Sequence, residues 1–217
     1  DYHGTCKPFG LQRTYPNVIN YEGVNGLEQL KWKKQGYDQV TYDLTFPFIR
    51  MLAGPVDYTQ GAMRNATQKG YYPNNHEPMS QGTRCRQLAE YIIFESPFNM
   101  LCDTPINYMK EQECTDFISS VPTIWDETVA LDSKIANYIT IARRSKDTWY
   151  IGSINDWKIR ELEIDLTFLP EGQYQMEIFR DGANADRNAA DYKKESKAVP
   201  ADKKVKIKMY PGGGYVA

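Results

Sequence analysis

The chain is short of the residues that most often announce a site by themselves. Its four cysteines, Cys6, Cys85, Cys102 and Cys114, are scattered over 217 residues without a Cys-x-x-Cys pair, which excludes the common structural zinc spacings. They read instead as buried small hydrophobes, and leave the redox compartment open. Histidine is scarcer still: His3 and His76 stand alone, neither set in a serine or cysteine nucleophile motif. No run of about 18 apolar residues occurs, so no membrane span is expected. An excess of one charge is also missing. Twenty-six Lys and Arg against 28 Asp and Glu leave a net charge of -2, with the bases dispersed among acids, and no nucleic-acid partner is expected. Neither an internal repeat nor a low-complexity tract is visible.

What is present is enough for a folded chain. At 41% hydrophobic and 13% aromatic, it has material for one large domain or two small ones. The opening Asp1-Tyr2-His3-Gly4 lacks an initiator methionine and reads as a strand end entering a loop, so a piece of a longer protein is expected. Leu30 to Lys33 suggests a short helix ending near Gly36. Val40 to Thr45 fits a helical turn or a linker. Phe46 to Leu52, an apolar run broken by Arg50, fits a buried strand of a parallel sheet, with another loop beginning at Val56. Residues 64 to 82 are polar and aperiodic, like a lid. Cys85, Leu88, Ala89, Ile92 and Ile93 fall at helical spacing and must stop before Pro97. A second helical turn carries Phe98, Leu101 and Cys102, and Thr104-Pro105 reads as an N-cap with proline at the first helical position, opening a helix toward Cys114.

Near Val121 the pattern changes to a period of two. Asn137 to Arg143, Thr148 to Ile154, Arg160 to Phe168, Tyr174 to Phe179 and Val205 to Met209 alternate, separated by turn signals at 145–147, 170–172 and 181–182. Residues 121–217 therefore predict an antiparallel β-sandwich domain, and residues 1–120 an α/β part.

The stretch Arg13 to Glu28 holds an arginine, two tyrosines, three asparagines, two glycines and the acids Glu22 and Glu28, with no period, and is best placed in a loop on a scaffold. Gly23 and Gly26 let the backbone bring Glu22 and Glu28 to one side. Two acids held together raise at least one pKa, unless a hard cation such as calcium neutralises them. The same spacing also describes two solvated acids flanking a helix start. His3, at a strand end, could bond a substrate hydroxyl or serve structure alone. Several aromatic residues of the first half could stack on sugar rings, and most are expected in the core. Asn184, Asp186, Asn188 and Glu195 imitate a calcium loop, but Ala189 stands where its turn needs glycine. Asn65-Ala66-Thr67 matches a glycosylation sequon.

The string His3-Gly4, Lys7-Pro8, Gly10, Arg13 to Asn17, Glu22-Gly23-Val24 and Gly26-Leu27-Glu28 resembles the active-site signature of glycoside hydrolase family 97. Arg50 to Tyr58 and Phe94-Glu95-Ser96-Pro97 resemble that family's last barrel strand and following helix. The resemblance implies an amino-terminal β-supersandwich, a central (β/α)8 barrel and a carboxy-terminal β domain, of which residues 1–120 are the C-terminal part of the barrel and 121–217 the β-sandwich. It implies Glu28 as the acid/base, Glu22 and Glu28 as ligands of Ca2+, and His3 as a substrate contact. Inverting α-glucosidases of the family carry a glutamate at position 4. This chain has Gly4, so the resemblance implies the retaining branch, known for α-galactosidases, with an aspartate nucleophile from an earlier barrel strand. The partners so implied are an oligosaccharide substrate and the remainder of the same polypeptide, in a bacterial periplasm or cell envelope. An α-glucosidase, or a non-catalytic structural or carbohydrate-contacting fragment, are the alternatives.

Overall fold

The computed structural model describes residues 1–217. The first half is helices and turns around a small parallel core; the second is antiparallel sheet. In chain order the elements are α1 (Leu11–Thr14), a 3-10 turn at Leu27–Lys31, α2 (Gln39–Asp43), 3-10 turns at Phe46–Phe48 and Met51–Ala53, β1 (Asn65–Ala66), β2 (Ser80–Gln81), α3 (Arg84–Ile93), α4 (Pro105–Lys110) and α5 (Gln112–Ser120). The strands β3 (Glu127–Lys134), β4 (Tyr138–Ser145), β5 (Thr148–Asn155), β6 (Arg160–Asp165), β7 (Gln175–Asp181), β8 (Tyr192–Ala198), β9 (Lys204–Met209) and β10 (Gly214–Val216) follow. No helix is long and apolar enough to cross a membrane.

Caps fix the helices where side chains allow. Thr83 accepts the Arg86 amide and opens α3, and Thr104 accepts the Asn107 amide and opens α4, with Pro105 at its first position. Asp38 does the same for α2 through the Thr41 amide.

Two local expectations fail for identifiable reasons. Phe46 to Leu52 is not a strand. Pro47 has no amide to give a ladder, the Arg50 amide bonds Phe46 O at 2.7 Å, and the apolar residues do not share a face: Phe46 is buried while Ile49 and Leu52 are 64% and 83% exposed. Phe98 to Cys102 is not helical either, because its carbonyls serve side chains: Phe98 O accepts from Asn20 and Ser96, and Met100 O from the Tyr91 hydroxyl. The polar stretch 64 to 82 is anchored rather than free, with β1 and β2 paired in parallel and the Tyr71 hydroxyl donating to Leu30 O at 2.7 Å. Of the cysteines, Cys85 and Cys114 are buried, Cys102 is half-buried and Cys6 is exposed.

The six-stranded sheet has the order β3-β4-β5-β10-β7-β8, and β6 pairs with β9 in a second, two-stranded sheet. Period-two alternation splits the large sheet between two cores. On one face Ile139, Ile141, Ile154, Phe179 and Val216 pack with Cys85, Leu88, Ala89 and Ile92 of α3. On the other, Ala142, Ile151, Met176, Ile178 and Tyr215 pack with Ile164, Ile207 and Met209 of the small sheet. Helix α3 comes close because two strand positions lack side chains: a Cβ on Gly214 would collide with the Arg86 backbone, and one on Gly152 would meet Ala89 O and Ile92 at 3.0 Å. Asp181 ties sheet to helix, accepting from the Thr83 hydroxyl at 2.6 Å and the Tyr210 amide at 2.8 Å.

Candidate active site

Three short segments lie side by side in the first half. Tyr2 and Tyr21 form a parallel bridge, and the Asp57 amide donates to Tyr21 O at 2.8 Å. The residues immediately after the bridge are His3 and Glu22, so both side chains leave from the same end of neighbouring segments. Within 56–59, Val56 and Tyr58 enter the hydrophobic core, and Asp57 and Thr59 face the other way, toward His3 and Glu28. The sequence reading places a loop here, whereas residues 56–59 alternate as a strand does.

These segments bring the three sequence-predicted residues together. One nitrogen or oxygen from each of His3, Glu22 and Glu28 lies within 4.8 Å of the others. His3 Nδ1 is 2.7 Å from Asp57 Oδ2, and its Nε2 is 3.7 Å from Glu22 Oε1. Glu22 Oε2 accepts the Gly4 amide at 2.7 Å. Glu28 Oε2 bonds the Thr59 hydroxyl, whose oxygen also faces the Glu28 amide at 3.4 Å. Asp57 and Thr59 were not singled out as site residues from the sequence. A fully buried acid beside an exposed histidine becomes visible only in three dimensions.

Gly4 takes φ of 69°, a left-handed conformation in which a glutamate would be strained, and it is this conformation that carries the amide bonded to Glu22. Gly26 has an ordinary extended backbone, φ of -70°, but a Cβ there would run into the Glu28 carboxylate and Thr59 Oγ1. Arg50 fixes the frame from behind. The residue is 7% exposed, its guanidinium donates to the carbonyls of Tyr21, Glu22, Gly54 and Pro55, and burial lowers its pKa.

The acids act on His3. Its pKa is raised above 6.5, first by the hydrogen bond to Asp57, with the charges of Glu22, Asp57 and Glu28 adding and desolvation opposing. Each glutamate spends one oxygen on the protein: Glu22 Oε2 on Gly4 and Glu28 Oε2 on Thr59. The buried Asp57 Oδ1 has no hydrogen-bond partner. Carboxylate oxygens so disposed suit a hard cation better than a soft one. His76 lies apart from this group, in a cavity of about 410 Å³ lined by Arg64, Glu77 and Asp103. Far from it too, Glu195 of the calcium-loop imitation is held by Arg180 at 2.9 Å and Lys197 at 2.7 Å, which bring its pKa down to about 2.

Residues 124–217 match the family model described as glycosyl-hydrolase 97 C-terminal, oligomerisation. A retaining alpha-galactosidase of Bacteroides thetaiotaomicron is 59% identical over 215 residues, covering 99% of this chain and 32% of that protein. A probable retaining alpha-galactosidase of Streptomyces bingchenggensis is 26% identical, covering 100% of this chain and 31% of that protein. The structure superposes with a TM-score of 0.85 on a glycoside hydrolase family 97 enzyme from Pseudoalteromonas sp. strain K8 in complex with panose, at 36% identity, covering 99% of this chain and 33% of that one. The chain thus spans about a third of the length of the relatives it matches. Residues 124–217 thus belong to the C-terminal domain of glycoside hydrolase family 97, and the chain is similar over nearly its whole length to enzymes of that family.

Proposed function

We propose that the chain is part of a retaining, calcium-dependent α-galactosidase that releases terminal α-linked galactose from oligosaccharides by double displacement. The observation that carries this reading is the convergence of His3, Glu22 and Glu28 in a chain 59% identical to a retaining alpha-galactosidase. In this reading residues 1–120 are the C-terminal part of a (β/α)8 barrel and residues 121–217 its β-sandwich domain. The parallel bridge at Tyr2 and Tyr21 supports the barrel, since His3 and Glu22 follow the paired residues, where barrel enzymes carry their chemistry.

Glu28 is the acid/base: it protonates the leaving oxygen, then takes a proton from the incoming water. His3, held by Asp57, bonds a sugar hydroxyl. Glu22 and Glu28 would hold Ca2+, which supplies positive charge beside the reacting sugar. The nucleophilic carboxylate comes from an earlier barrel strand preceding Asp1, so the chain by itself turns over no α-galactoside. Gly4 supports the retaining course, because it puts no carboxylate where a second base would activate water.

Glu28→Gln in the intact polypeptide is the test. Loss of hydrolysis on α-galactosides with poor leaving groups, and much smaller loss on those with good ones, is expected; unchanged hydrolysis of the poor-leaving substrates removes the assignment. The panose complex of the Pseudoalteromonas enzyme favours an α-glucosidase as the second reading, and comparing α-galactosides with α-glucosides decides between them.

A further inference from the structure

One hydroxyl meets Glu28 at both ends of the residue. Thr59 Oγ1 accepts the Glu28 amide at 3.4 Å, and it is bonded to carboxylate oxygen Oε2. Oε1 has no protein partner among these bonds. The backbone that carries Thr59 is anchored next door, where Tyr58 sits in the core, donating to Asp43 Oδ1 at 2.6 Å and accepting from Gln39 at 2.8 Å. Asp57, on the same side as Thr59, is tied to His3. Gly26 leaves the space the pair occupies.

We propose that Thr59 is the positioning residue of Glu28. By donating to Oε2 it sets the rotamer of the Glu28 carboxylate and leaves Oε1 as the oxygen free to face the leaving group. Thr59 itself exchanges no proton with substrate. The proposal rests on the reading of Glu28 as the acid/base.

The experiment compares Thr59→Val, Thr59→Ser and Glu28→Gln in the intact polypeptide, using α-galactosides that run from nitrophenyl to alkyl leaving groups. Val keeps the shape and deletes the hydroxyl; Ser keeps the hydroxyl. Thr59→Val is expected to lower kcat/KM about 10-fold or more on the poor-leaving substrates, less on the good ones, and Ser to stay within about 3-fold. A loss in Thr59→Val that is equal across leaving groups, no loss at all, or a loss as large in Ser as in Val overturns the proposal. A Glu28→Gln enzyme without leaving-group dependence overturns the acid/base reading beneath it, which separates the two failures.

Discussion

Asp57 Oδ2 lies 2.7 Å from His3 Nδ1, joining a carboxylate with no exposure to a ring half open to solvent. A buried carboxylate only accepts, so the ring proton is held on Nδ1, and Nε2 is the nitrogen turned toward Glu22 and outward. The orientation of the one histidine at the site is thus set by a residue 54 positions away.

Removing that carboxylate changes the ring. With Asp57→Asn in calcium-free buffer, the His3 pKa is expected to fall toward 6.5, because its largest raising cause is gone. A histidine whose folded pKa is raised contributes stability that is full below the unfolded value and lost as pH rises through the folded one. The Asn variant loses that contribution. Titration of the His3 ring resonances by NMR measures the shift, and an unmoved pKa counts against the pairing.

Gly26→Ala separates site from scaffold. The backbone at Gly26, φ of -70° and ψ of 169°, accepts alanine, so folding should survive, while the new methyl displaces the Glu28 carboxylate. Activity of the intact polypeptide is expected to fall about 100-fold with little change in circular dichroism. Retained activity means Glu28 does not need its present place.

Arg50→Met removes a donor from four carbonyls at once. A cost of about 3 kcal/mol is expected, because the carbonyls of Glu22, Gly54 and Pro55 lose their donor while Tyr21 O keeps the Asp57 amide, and urea denaturation measures it. A loss below about 1 kcal/mol would mean that water takes over the guanidinium's role.

Glu90 tests the buried charge cluster under α3. Arg86 faces both Asp43, at 3.5 Å, and Glu90, at 3.1 Å, and burial followed by the charge of Asp43 raises Glu90 well above 4.5. Asp43, bonded also by Tyr58 and Gln39, is itself pushed up by burial to about 6 and ionises before Glu90. A carboxyl with a raised folded pKa contributes stability present below the unfolded value and lost as pH rises through the folded one. Wild-type stability should therefore decline as pH rises above about 4.5, by at most about 1.4 kcal/mol per unit for this one proton. Glu90→Gln should cost little at neutral pH and flatten that decline. Parallel pH curves for the two proteins in thermal melts would show Glu90 to be ionised.

Calcium supplies the last test. If Glu22 and Glu28 are its ligands, added Ca2+ raises the melting temperature of the intact polypeptide by mass action, and Glu22→Gln abolishes the rise. No response at millimolar Ca2+ removes the metal from the proposal.

Much of the second half was legible because alternation leaves a strong trace: β4, β5, β6, β7 and β9 all fall on predicted runs. Three strands were not. β8, with Lys193, Lys194 and Lys197 on a sheet edge, has no buried face to write an apolar period. β10 is three residues long and begins at the glycine that α3 presses against, and β3 is mostly exposed. In the first half, the cap at Thr104 was readable from local chemistry, while the one at Thr83 came from the structure. Phe46 to Leu52 was not, because composition cannot tell a buried run from one whose Ile49 and Leu52 face outward.

By itself the sequence determined the antiparallel second half, the helix capped by Thr104 and the choice of His3, Glu22 and Glu28 as the residues to watch. Tertiary structure alone decided that the three meet, that Asp57 and Thr59 hold two of them, and that Arg50 fixes the frame behind. The reason is separation along the chain: local period and capping act within a few residues, whereas Thr59 reaches Glu28 across 31 positions and Asp57 reaches His3 across 54, through segments whose pairing no local pattern encodes.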